Sequence, residues 1–152
     1  MKKLQYISIV LVGAMMMLTS FVAPEPEQDT KLAVVINPKG PPGNISTSDL
    51  KKIFKGEVQR WKDGTKVVVV MMKTNTTAGN ETASKLFNMT GNDLNKYWLS
   101  LVFAGKARAP YFISSESELL LFVSQNPGAI GIIDAKDAHG NKVATVDGNE
   151  SF

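Results

Sequence analysis

The run Leu32-Ala33-Val34-Val35-Ile36 offers nothing polar to water at any of its five positions. Successive strand side chains point to opposite faces, so a strand of this composition is apolar on both. Such a strand must be covered on both sides, or it must run through a hinge between domains. The alternatives open to the chain are correspondingly few: helices have to be found for the faces of a sheet.

The pattern downstream supplies them. Asn37-Pro38 and the turn-rich KGPPG at 39–43 stop the first strand. Ser46 or Thr47 is placed to cap a helix whose Leu50, Ile53 and Phe54 share a face, with Gly56 ending it. Trp61 and the turn Lys62-Asp63-Gly64 lead into a strand over Lys66–Met72. The segment KTNTTAGN at 73–80 reads as a polar loop, followed by a helix from about Glu81 that turns Ala83, Leu86 and Phe87 inward. Asn92 or Asp93 caps a further helix with Leu94, Trp98, Leu101 and Val102 on one stripe. Pro110–Ile113 is short and extended. Ser115, with Glu118 three positions on, makes a capping box for a helix burying Leu119, Leu120, Phe122 and Val123. Asn126-Pro127-Gly128 breaks that helix, Ala129–Ile133 is the next strand, and Lys142–Val146 a last one. Strands alternating with helices predict one α/β layer domain. Roughly 125 residues suffice for one core and not for two.

The N-terminus reads as an export signal. Lys2 and Lys3 precede an uncharged, mostly apolar run from Leu4 to Leu18, shorter than the roughly 20 residues of a spanning helix. Small residues at Thr19, Ser20 and Ala23 place cleavage near Ala23, although Phe21 is a poor −3 residue. The expected organisation is a signal peptide at 1–23, a polar proline-containing linker at 24–30 and a domain at 31–152. If the signal is not cleaved, the same segment anchors the domain to the membrane. Without cysteine there is no lipid anchor, disulfide framework or thiolate chemistry.

Charge narrows the partners. The full chain has 17 Lys+Arg against 14 Asp+Glu, but removing Lys2 and Lys3 leaves 15 against 14. The chain from Pro24 onward is therefore close to neutral. Its densest basic group, Lys51, Lys52 and Lys55, fits a solvated helix face better than a nucleic-acid footprint.

Three segments taken together resemble phosphate-type periplasmic solute-binding proteins, the extracytoplasmic binding components of phosphate ABC transporters. They are AVVINP at 33–38, SDLKKIFKGEVQRWKDG at 48–64 and NPGAIGII at 126–133, with Trp98 and FAGKARAP at 103–110 between them. The resemblance implies a single lobe of a type II periplasmic-binding-protein-like fold, a mixed sheet flanked by helices. Family members have two lobes joined by hinge strands, and this chain matches the second lobe with its bracketing strands. The resemblance further implies a non-enzymatic domain, outside the cytoplasm, that binds phosphate or another oxyanion reversibly. Its implied partners are an ABC transporter permease or a second binding lobe. An accessory protein-interaction module of the cell envelope that has lost its ligand is the competing expectation.

In that family the second lobe holds the oxyanion with a Ser/Gly/Thr-rich loop and helix start preceded by Arg. Unpaired helix N–H groups, hydroxyls and the helix dipole suit an anion physically. The matching segment is KTNTTAGNETASKLF at 73–87, which implies Lys73, Thr76, Thr77, Gly79, Asn80 and Thr82 as ligand-binding residues. No Arg stands there; Lys73 is the stand-in charge, and Glu81 opposes an anion.

Other constellations are weaker. His139 sits in a turn beside Gly140, and one His without Cys builds no usual zinc site. Asp134 and Asp137 lack calcium-loop spacing. Ser114, Ser115 and Ser117 have no His partner and read as capping residues. Gly128 and Gly131 read as a turn and a close packing point, and Trp61 and Trp98 as core. No motif for a cofactor or metal is present. The sequons at Asn44, Asn75, Asn80 and Asn88 bear only on a eukaryotic secretory route.

Overall fold

The computed structural model describes residues 30–152. The expected signal at 1–23 and the linker residues up to 29 lie outside them. The elements are β1 (Leu32–Ile36), β2 (Asn44–Ile45), α1 (Thr47–Phe54), β3 (Val68–Met72), α2 (Thr77–Phe87), α3 (Gly91–Phe103), β4 (Tyr111–Ile113), α4 (Glu116–Gln125), β5 (Ala129–Asp134) and β6 (Val143–Val146). A 3-10 turn, Ala135–Asp137, follows β5.

The six strands form one mixed sheet in the order β2-β6-β1-β5-β3-β4. β3 pairs in parallel with both β4 and β5, while β1 runs antiparallel to β5 and to β6. β1 and β5 lie side by side in the middle, with Leu32 opposite Asp134 and Ile36 opposite Ile130. Every residue of β1 is buried, as expected for a strand covered on both faces.

The covering layers follow from the pleat. Val70 is level with both Gly131 and Tyr111, so the three residues share one face. α4 packs there: Tyr111 and Phe122 bring their rings to 4.7 Å, and a Cβ added to Gly131 would stand 2.7 Å from Leu119 Cδ2. Glycine in the middle of β5 therefore lets Leu119, fully buried, reach the sheet. Phe112 belongs to the opposite face, where it lines a shallow hollow together with Asn92, Asn95 and Trp98 of α3. α2 packs against α3 and against β5, β1 and β3.

Asn37 ties the end of β1 to α4. It is 4% exposed, and its Nδ2 donates to Val123 O at 2.8 Å and Ser124 O at 3.0 Å. These are carbonyls of the last helical turn, which have no intrahelical donor of their own. Trp61 is core, as expected, with its indole N–H donating to Gly128 O at 2.9 Å.

Local expectations fared unevenly. Ser46 and Ser115 cap α1 and α4 as the sequence suggested. α3 is capped by Thr90 and not by Asn92 or Asp93, and its Val102 is exposed instead of buried. Leu120 and Phe122 are only partly buried. α2 starts at Thr77, four residues before Glu81. The two-residue β2 had no sequence signal. No helix among the described residues is long and apolar enough to cross a membrane.

Candidate functional site

The three parallel strands β3, β4 and β5 all end on one side of the sheet, with Lys73, Ser114 and Ala135 the first residues beyond them. From β3 the chain turns into α2 on one face; from β4, the neighbouring strand, it turns into α4 on the other. Adjacent strands whose connections leave to opposite faces open a crevice at their carboxyl ends, the usual ligand position in α/β sheets. Lys73 N donates to Ile113 O at 2.9 Å, so the two strand ends are held together up to the crevice.

The first turn of α2 is built close to these strand ends. Thr76 is in extended conformation (φ −95°, ψ 157°) and its hydroxyl accepts from Gly79 N–H at 3.1 Å while donating to Lys73 O at 2.8 Å. Asn80 N–H returns to Thr76 O. This leaves the N–H groups of Thr77 and Ala78 without a protein acceptor among the described residues. Gly79 is packed directly on β3: an added Cβ would fall 2.1 Å from Lys73 O. The loop is braced from α3, where Asn95 Nδ2 donates to Thr74 Oγ1 and Gly91 abuts the Thr74 side chain.

The six sequence-selected residues thus separate. Lys73, Thr77 and Asn80 are exposed at or near the helix start. The Thr76 hydroxyl is occupied in the cap, and Gly79 acts by letting α2 approach the strand. Thr82 is 2% exposed and its hydroxyl donates to Ala78 O at 2.7 Å, so that side chain is satisfied inside the core and has no surface to offer a ligand. Glu81, expected to oppose an anion at the helix start, is the fifth helical residue and lies beyond the first turn. Two groups escape sequence reasoning. The Ala78 N–H is invisible in a sequence until the helix start is known. Ser114, exposed at the end of β4 across the crevice, reads in the sequence only as a capping residue; the strand-then-Ser-Ser pattern is its available signal.

Electrostatics distinguishes the helix starts. α1, α3 and α4 carry Asp49, Asp93 and the pair Glu116 and Glu118 in their first turns, and α2 carries no acid there. Carboxylates at a helix N-terminus answer the dipole and repel a second anion; α2 leaves that position open. Asp134 caps the 3-10 turn through Lys136 N–H and forms an ion pair at 2.9 Å with the Lys136 ammonium, whose pKa that hydrogen bond and charge raise. His139 is exposed in its turn.

A mixed sheet with helices on both faces and an open helix start at the carboxyl ends of its parallel strands defines a single α/β lobe. The chain belongs to the PBP superfamily: a family model for a PBP superfamily domain matches residues 30–151. The fold is shared with an ABC-type phosphate transport receptor from Vibrio cholerae (TM-score 0.60, 19% identity, covering 80% of this chain and 48% of that one). It is also shared with PstS from Borrelia burgdorferi (TM-score 0.61, 21% identity, 78% and 48%). A third similar structure, from Clostridium perfringens, is described as a putative phosphate ABC transporter substrate-binding protein and was solved with bound phosphate (TM-score 0.55, 19% identity, 79% and 46%). The chain spans about half the length of these structures. No match arises among curated protein sequences.

Proposed function

We propose that this chain is a substrate-binding domain of the phosphate-transport type, binding phosphate or a related oxyanion reversibly and carrying out no catalysis. The observation that carries the reading is the first turn of α2, the acid-free helix start at the crevice between β3 and β4. The bound anion would accept from the N–H groups of Thr77 and Ala78 and from the Thr77 hydroxyl. Lys73 would supply a point charge, and Asn80 and Ser114 neutral donors. Thr76 and Gly79 hold the turn in shape, and Thr82 takes no part.

One lobe presents an open surface and not a closing cleft. With no Arg in the segment, the anion lacks a bidentate charged partner. Affinity for a free anion is therefore expected to be weak, near millimolar, until a second lobe, a second subunit or a transporter permease covers the site. The signal-like pattern of residues 1–23 supports a site of work outside the cytoplasm, in the periplasm or secreted medium.

Isothermal titration of the protein with phosphate, sulfate and a neutral sugar tests the reading. Thr77→Pro is the informative variant, because Thr77 is the first helical residue. Proline is tolerated there, and the extended Thr76 already satisfies the restriction on a residue before proline. The variant removes one N–H and one hydroxyl while keeping the helix. Heat with phosphate and sulfate but not sugar, weakened in Thr77→Pro and in Lys73→Gln, is the expected result. No heat with any oxyanion at millimolar concentration ends the proposal and leaves the accessory interaction module as the better account.

A further inference from the structure

The opposite end of the parallel strands carries a second hollow. β4 is only three residues long and pairs with Val70–Met72, so the preceding residues Val68 and Val69 have no strand beside them on that side. A groove of about 350 Å³ lies there, between the start of β3 and the segment 108–110 that leads into β4. Its size is at the lower end of the roughly 300–1,000 Å³ range of small-molecule sites.

Its lining has a distinct chemistry. Arg60 and Arg108, the only two arginines in the chain, both face it together with Lys66. No acidic residue lines it. The acids nearest in sequence are otherwise engaged or offset. Asp63 accepts from Thr65 N–H inside its own turn, and the exposed Glu57, between Gly56 and Val58 of the lining, is not itself among the lining residues. Arg60 gives one nitrogen to Gly64 O, while Arg108 is exposed. Val58, Val67 and Tyr111 contribute apolar surface. Trp98 also lines the groove, its benzene ring lying against Gly56.

We propose that this groove is a second anion site, separate from the α2 start, that takes a small molecule carrying a phosphate or carboxylate on an apolar group. Arg108 and Lys66 receive the charged end, Arg108 with a fork matched to a planar or tetrahedral oxyanion. The valines and the aromatic rings cover the apolar part. A bare inorganic anion would leave that apolar surface wet, so it should bind here less well than an anion bearing a ring.

Phenyl phosphate, benzoate, inorganic phosphate and benzyl alcohol, titrated into the protein by calorimetry with tryptophan fluorescence recorded in parallel, provide the test. Phenyl phosphate should bind and change the tryptophan emission, and benzyl alcohol should not. Arg108→Gln and Lys66→Gln, both exposed positions, should each weaken phenyl phosphate by roughly tenfold with an unchanged thermal melt. Thr77→Pro should leave phenyl phosphate binding as it was, whatever it does to inorganic phosphate, so this site and the α2 site stand or fall separately. The proposal is overturned if phenyl phosphate gives no heat at millimolar concentration. It is equally overturned if the Arg108→Gln/Lys66→Gln double variant binds as well as the parent, or if Thr77→Pro abolishes phenyl phosphate binding.

Discussion

Gly79→Ala should damage this protein although alanine is the best helix former and Gly79 lies inside a helix. The ordinary expectation is a gain of about 1 kcal/mol from propensity. Here the new methyl would sit 2.1 Å from Lys73 O, 2.6 Å from Lys73 C and 2.8 Å from Met72 O. Ordinary contact begins near 3.4 Å, so the start of α2 has to retreat from β3 by about 1.3 Å. The obstacle is backbone at the end of a buried strand, which cannot rotate away as a side chain would. Forced overpacking costs typically about 1–3 kcal/mol. The retreat also pulls Gly79 N–H from the Thr76 hydroxyl, a cap worth about 1 kcal/mol. Set against the propensity gain of about 1 kcal/mol, the net expectation is about 1–3 kcal/mol of destabilisation, which for a domain this size lowers Tm by roughly 4–12 °C. Urea and thermal melts followed by circular dichroism measure it, with exposed Asn80→Ala as the neighbouring control. A Gly79→Ala protein that melts within about 2 °C of the parent, or higher, would refute the close approach of α2 to β3 and with it the geometry of the proposed site.

Three further perturbations probe the frame. Asn37→Ala removes a buried and a partly buried bond to the α4 carbonyls and one from Lys39 N–H, and should cost about 2–4 kcal/mol in a urea melt; a loss under 1 kcal/mol would mean the carbonyls find other donors. Trp61→Phe deletes the indole bond to Gly128 O and should cost about 1–3 kcal/mol, with m unchanged. Tyr97 has its phenol pKa raised, by burial first and by Glu57 second. An unfolded tyrosine ionises near pH 10, so the stability linked to Tyr97 is present below that pH and is lost as pH rises through the higher folded value. Thermal melts across that alkaline range should therefore fall more steeply for the parent than for Tyr97→Phe; parallel curves would count against the shift.

How far the sequence could be read depended on the range of the interaction. Leu32–Ile36 and Ala129–Ile133 could be recognised as strands because every position is apolar, and Ser46 and Ser115 as caps because a cap acts within three residues. The start of α2 was misplaced because Thr, Asn and Gly are poor helix formers. What overrides that preference is the burial of Ala78 and Gly79 against β3, a contact that exists only once the sheet is formed. The same dependence decided the candidate site. KTNTTAGNETASKLF suggested residues to meet an anion, but not that Thr82 would spend its hydroxyl on Ala78 O in the core while Ala78 N–H stayed open.

By itself, then, the sequence determined the alternation of strands and helices, the near balance of charge over residues 24–152, and the residue types of the segment proposed to meet an anion. Only the tertiary structure decided the rest. It set β1 antiparallel beside β5, sent the connections of β3 and β4 to opposite faces, and gathered Arg60, Lys66 and Arg108 around one groove. Periodicity reports which side of an element is apolar, and caps report where it begins. Neither carries information on which distant strand becomes its neighbour, because that choice is made by packing among all the layers at once.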